Sequence, residues 1–371
     1  MLASPSFAAR ARRAVAGCVA LLALAACSSD APNVAAPPTA ANLVAVGRQD
    51  DLGPALAAQA KHTNRLLADR EVLGTGIGRL TDGRPEVTVF ARNASAAAKL
   101  PRDLDGIPVV IEVTGDITIL PEKADASPRG KPGGGGGGGN LQPTSFFPRP
   151  VPIGVSTGRA DECAAGTIGA RVKNGNTVYA LSNNHVYAAE NAGHQGDPVW
   201  QPGRYDLSCA TNNPANDLTY RLGTLTRNTT ISFTGDNVVD GAIALVDVDH
   251  LGKATPSGGY GTPASTTTAA TLNMAVQKYG RTTGLTTGVV IGVNVTVNVQ
   301  YTDGVARFVK QVQIRGDRGA FSKAGDSGSL IVTRNNSNIP VALLFAGGST
   351  STFANPIGDV LSALGVSIDG K

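Results

Sequence analysis

The chain has 371 residues, of which 42% are hydrophobic, 16% charged and 5% aromatic, with a formal net charge of +4. That length accommodates two domains with real cores. The weak positive charge includes Arg10, Arg12 and Arg13 near the start and forms no basic stripe with interleaved aromatics, so nucleic-acid binding is not expected.

Residues 1–26 read as a signal peptide. The basic residues end at Arg13, and the apolar stretch Ala14–Ala26 is too short to span a membrane comfortably. Leu24-Ala25-Ala26-Cys27 resembles the lipobox of bacterial lipoproteins, which implies cleavage before Cys27, its acylation and a membrane anchor. An ordinary secretory cleavage near Ala26 is the other reading. Residues 27–50, rich in Ala, Pro, Ser and Asn, read as a flexible tether.

Residues 51–121 read as a small α+β domain. A helical pattern runs from Pro54 to Asp69 with Leu56, Ala60 and Leu67 near one face. Strand-like runs follow at 72–79, 86–91 and 107–114, with a short helix around 94–99. Gly74-Thr75-Gly76-Ile77-Gly78 opens no helix, so these are strand glycines and not a phosphate cradle. The segment 122–151 is a linker containing Gly133–Gly139 without interruption. It tethers two halves, and its exposed basic residues invite proteolysis.

From residue 152 to 371 short β-type runs alternate with Gly, Asn, Asp and Pro turns, at 166–172, 177–182, 219–226, 242–247, 275–280, 287–300, 306–314, 329–333 and 340–346. Strand after strand without long amphipathic helices predicts an all-β barrel or sandwich, closed by a helical turn at 359–364. Cys163 and Cys209 remain for an oxidising compartment once Cys18 and Cys27 are set aside. A disulfide is expected, with two free thiols as the alternative. No Cys/His group has zinc spacing, and no metal or cofactor is expected.

Chemistry concentrates at Gly325-Asp326-Ser327-Gly328-Ser329. Flanking glycines allow a sharp bend that presents the Ser327 hydroxyl and gathers N–H groups for an oxyanion. A serine nucleophile needs a base and a carboxylate. Of four histidines, His185 alone ends an apolar strand; His62, His194 and His250 have surface contexts. Asp240 abuts the apolar run 242–246, with Asp236 and Asp247 as competitors. No histidine follows Ser327, so the α/β-hydrolase order is excluded, and the order His, Asp, Ser is the one used on double β-barrels.

At these three motifs residues 152–371 resemble the chymotrypsin-like serine peptidases. Tyr279-Gly280-Arg281-Thr282-Thr283-Gly284 resembles the bacterial, α-lytic-protease-like branch. The resemblance implies a double β-barrel and a peptidase acting on protein or peptide substrates. It implies His185, Asp240 and Ser327 as the triad and the Gly325 and Ser327 N–H groups as the oxyanion hole. Arg281 is implied to pair with Asp326, and Ala346-Gly347-Gly348 to form the strand that holds the substrate. Departures are Ser329 in place of a glycine, Asn183-Asn184 in place of a small pair, Ala346 in place of a serine that supports the aspartate, and Phe321 in the specificity wall 319–324. A protease-fold binding or scaffold lipoprotein with little turnover is the alternative.

Overall fold

Alternation in Val178-Tyr179-Ala180-Leu181 becomes the strand Thr177–Ser182, with antiparallel neighbours Ala170–Asn174 and Ala242–Val246. The computed structural model describes residues 49–120, 122–123, 141–209 and 218–371. The signal segment, Cys27, most of the tether and the glycine run lie outside these residues. No helix among the described residues is long and apolar enough to cross a membrane.

The architecture is all-β, and its centre is a pair of barrels. Ala275–Gly280, Gly284–Gln300, Val305–Gly316, Thr352–Pro356, Pro340–Gly347 and Leu330–Thr333 hydrogen-bond in that order, and the last returns to the first. This ring closes round Val290, Ile314, Ile331, Leu344 and Ala354, all buried. The other barrel, which is the first in chain order with the ring above as the second, runs from Ala170–Asn174 through Thr177–Ser182, Ala242–Val246, Arg221–Asn228, Pro198–Trp200 and Ser156–Arg159 to Ala164–Thr167. Ile168-Gly169 carries the chain from that last strand back to the first, around Ile153, Val155, Ala180, Val199 and Leu222. Between the barrels Leu181, Ile243, Leu330 and Leu343 pack with Val360 and Leu364 of the helix Ile357–Leu364. Burial at about 25 cal/mol per Å² makes these clusters the main source of stability.

The N-terminal part does not stand apart as the glycine run suggests. Its strand Val72–Arg79 pairs antiparallel with Gly284–Gln300, matching Gly74 to Val297 and Ile77 to Val293, so the second barrel's sheet continues into it. A Cβ on Gly74 would stand 2.3 Å from the Thr296 carbonyl, which explains a glycine where two backbones meet. The helix Gly53–Leu66 buries Ala55, Ala58, Gln59, Thr63 and Leu66. That face differs from the expected one. Leu56 is exposed, because small residues let the helix lie close to the sheet.

Candidate active site

His185 follows the strand Thr177–Ser182 on one short turn of helix, Asn184–Tyr187. The asparagines before it are structural. Asn183 Nδ2 donates to the Asp240 carbonyl at 2.8 Å, and Asn184 Nδ2 donates to Asn191 Oδ1 at 2.9 Å and the Thr229 carbonyl at 2.6 Å. Asp240 lies two residues before the start of the neighbouring strand Ala242–Val246, so the pairing of the two strands brings the side chains together. His185 Nδ1 and Asp240 Oδ2 are 2.5 Å apart, with both side chains fully buried. Asp240 Oδ1 also accepts the His185 N–H at 3.3 Å. Of the competitors, Asp236 pairs with Arg307 at 3.1 Å, and the Asp247 side chain is 83% exposed.

A third group completes this buried cluster, and it was not expected. The Tyr301 hydroxyl donates to Asp240 Oδ2 at 2.7 Å. Burial, then the Asp240 charge, push the Tyr301 phenol well above its ordinary value, so it stays a donor. The nearest sequence signal was an aromatic residue ending the apolar strand Gly284–Gln300 just before a Thr-Asp-Gly turn, too general to single out.

The serine turn bends as its glycines allow, but Ser327 is fully buried rather than presented outward. Gly325 and Gly328 both have φ of +91°, a region that costs other residues. A Cβ on Gly328 would lie 2.2 Å from Ser182 Oγ and 2.3 Å from the Thr167 carbonyl. Thr167 braces the turn, its N–H donating to the Ser327 carbonyl at 2.7 Å and its Oγ1 to the Gly325 carbonyl at 2.9 Å. Ser329 Oγ donates to the Asp326 carbonyl at 2.6 Å, so this departure from glycine is part of the turn.

The expected Arg281–Asp326 pair is replaced by two others. Arg281 makes a two-point contact with Asp206, Nε to Oδ2 at 3.0 Å, and lies 5.3 Å over the Tyr205 ring. Asp326 instead faces Lys278, Nζ to Oδ2 at 3.4 Å, both side chains fully buried. Its carboxylate also accepts the Thr282 and Thr283 N–H groups at 2.9 and 3.2 Å, the Thr283 hydroxyl at 2.7 Å and the Lys323 N–H at 3.0 Å. Lys278 reaches this position because it points inward from Ala275–Gly280, whereas Asp206 offers Arg281 a planar partner for its fork. Burial lowers the Lys278 pKa and the Asp326 charge opposes that. Phe321 is buried, with Lys278 Nζ 5.9 Å from its ring centroid. Cys163 and Cys209 are disulfide-bonded, Cα–Cα 5.4 Å.

The serine and histidine are not joined. Ser327 Oγ donates to the Phe345 carbonyl at 3.3 Å, and His185 Nε2 is buried without a hydrogen-bond partner among the described residues. The cleft beside them is filled by the chain itself. Thr118–Ile119 pairs antiparallel with the expected substrate strand, Ile119 opposite Ala346 and Thr118 opposite Gly347. One residue on, the Leu120 carbonyl accepts the Gly325 N–H at 2.6 Å. Leu120 Cδ1 would be 3.0 Å from a Cβ on Gly347, so the glycine leaves space for that leucine. Beyond it Glu122–Lys123 pairs with Ala164–Thr167 on the other barrel. Nothing in the sequence pointed to 118–120 as the occupant of the cleft.

No protein-family model and no curated protein matches this chain. Solved structures do resemble it in fold. One is a glutamic acid specific serine protease, at TM-score 0.42 and 22% identity, covering 59% of this chain and 100% of that one. Another is Protease A of Thermobifida fusca, at TM-score 0.41 and 18% identity, covering 60% of this chain and 100% of that one. The Cellulomonas bogoriensis chymotrypsin gives TM-score 0.41 and 20% identity, covering 60% of this chain and 99% of that one. At these identities the likeness concerns fold alone.

Proposed function

We propose that residues 152–371 form a serine endopeptidase. The observation that carries this reading is a peptide carbonyl, that of Leu120, held 2.6 Å from the Gly325 N–H, two residues before Ser327. An oxyanion needs a preorganised donor at that place. In the proposed reaction Ser327 Oγ bonds to the substrate carbonyl carbon and its proton passes to His185 Nε2. Collapse of the tetrahedral adduct breaks the C–N bond, and His185 gives that proton to the leaving amine. Water then attacks the acyl ester, loses a proton through His185 to Ser327, and the acid product leaves. Asp240 and Tyr301 act as positioning residues, holding Nδ1 so that Nε2 faces the serine.

Export and a lipid on Cys27 complete the proposal, with release by cleavage within 122–151. The Cys163–Cys209 bond supports an oxidising compartment. A binding module is the second reading, and the Ser327–Phe345 contact favours it, since it leaves His185 Nε2 unengaged. A fluorophosphonate probe separates the two. We expect slow labelling of the full chain, faster labelling of the Leu120→Asp variant, and none after Ser327→Ala. A folded Leu120→Asp chain that never labels contradicts the peptidase.

A further inference from the structure

We infer that Glu190 is a further positioning residue of this site, gripping the turn that carries Tyr301 and so fixing the phenol on Asp240. This inference rests on the peptidase reading above.

That turn, 301–304, closes the hairpin of Gly284–Gln300 and Val305–Gly316 in the second barrel, and the Tyr301 N–H donates to the Gly304 carbonyl at 2.7 Å. Glu190 comes from the first barrel, is buried, and holds the residue after Tyr301 at two points. Its Oε2 accepts the Thr302 N–H at 2.8 Å, and its Oε1 accepts the Thr302 hydroxyl at 2.8 Å. The Asp303 N–H reaches the same Oε2 at 3.4 Å. Both oxygens of a carboxylate accept and neither donates, so the group matches this set of donors. An amide would turn its NH2 toward one of them.

The backbone that presents Glu190 is strained. Ala189, Glu190 and Asn191 have φ of +44°, +57° and +89°, in the left-handed region that costs residues with a side chain. Such a segment persists where its surroundings hold it, and here the histidine turn does so. The Asn191 N–H donates to Asn184 Oδ1 at 3.1 Å, and Asn184 Nδ2 donates to Asn191 Oδ1 at 2.9 Å. Asn184 directly precedes His185. The base and its clamp therefore belong to one tightly bonded piece.

The contacts close into a ring that spans both barrels. From His185 they pass to Asp240, to the Tyr301 hydroxyl, along the chain to Thr302, across to Glu190, and back through Asn191 and Asn184. Phe308 stacks on the Tyr301 ring and Phe233 stands across it, each with centroids 6.0 Å away. These apolar neighbours set the plane of the ring and offer its hydroxyl nothing to bond. How far the hydroxyl reaches within that plane depends on where the backbone is anchored, and Glu190 anchors it. Burial, then the Asp240 charge and hydrogen bond, and last the Glu190 charge raise the Tyr301 pKa, so the phenol keeps its proton.

Full-length chains carrying Leu120→Asp test this role through two readouts, the rate of fluorophosphonate labelling at Ser327 and the low-field proton signal of His185 Nδ1. Glu190→Gln and Thr302→Val should each slow labelling about fivefold or more and shift or broaden that signal. Thr302→Ser, the conservative change that keeps the hydroxyl, should recover both. Because Glu190 acts through Tyr301, Glu190→Gln should slow a Tyr301→Phe chain no further. Thermal melting establishes that the chains compared are folded. Two results overturn the inference while leaving the peptidase standing. One is a labelling rate or an Nδ1 signal that neither Glu190→Gln nor Thr302→Val changes. The other is a Tyr301→Phe chain slowed by Glu190→Gln as much as its parent is. If no folded chain labels at Ser327, the peptidase falls, and this role with it.

Discussion

The Tyr301 hydroxyl donates to Asp240 Oδ2 at 2.7 Å, on the same oxygen that lies 2.5 Å from His185 Nδ1. A carboxylate buried between an imidazole and a phenol is held in one orientation by both, and it holds the imidazole in turn. Tyr301 belongs to the second barrel and Asp240 to the first, so this bond also ties the barrels together at the site.

Tyr301→Phe removes that donor and little else. A hydrogen bond to a buried charged group contributes about 1.5–3 kcal/mol. We expect kcat in the Leu120→Asp background to fall by about tenfold or more with KM nearly unchanged, and the acid limb of the pH–rate profile to move. A purely structural role would lower thermal stability and leave the profile of the remaining activity in place. Steady-state kinetics across pH decides between them.

Lys278 and Asp326 form a buried ion pair beneath the serine turn. Removing one member leaves a buried charge uncompensated, at a cost of about 3–5 kcal/mol. Lys278→Met and Asp326→Asn should each destabilise by that order, and the double variant by clearly less than their sum. A urea double-mutant cycle measures the coupling; additive losses would show that the two residues act independently.

Asp369 fastens the last strand, Ser367–Ile368, to the first barrel through Arg171 and Lys253, both at 2.8 Å. Burial pushes this carboxyl up, and the Lys253 and Arg171 hydrogen bonds outweigh it, leaving the pKa below its ordinary 3.8. A carboxyl with a depressed folded pKa adds stability above its unfolded pKa and loses it as pH falls through the folded one. Asp369→Asn should therefore lower Tm at pH 7, and the gap to the parent chain should close in acid below 3.8. A gap that persists unchanged there would assign the effect to packing.

Much of this fold was legible because its strands alternate and its turns carry Gly, Asn and Asp. The runs at 72–79, 177–182 and 275–280 coincide with strands to within a residue. His185 and Asp240 were singled out as well, since few histidines exist and chain order restricts the fold, and their side chains lie 2.5 Å apart. Three kinds of feature were not. Pairing of Val72–Arg79 with Gly284–Gln300 joins segments over two hundred residues apart, and no local pattern encodes it. The exchange of partners among Arg281, Asp206, Lys278 and Asp326 depends on which side chains a closed barrel turns inward. The pairings of Thr118–Ile119 and Glu122–Lys123 with the barrels involve two-residue strands, too short for any periodicity.

Mass-spectrometric mapping of a fluorophosphonate adduct on the full Leu120→Asp chain tests the peptidase most directly. We expect one adduct, on the peptide bearing Ser327, absent after Ser327→Ala and strongly reduced after His185→Ala. A folded chain without an adduct, or one labelled at another serine and unaffected by His185→Ala, would contradict it.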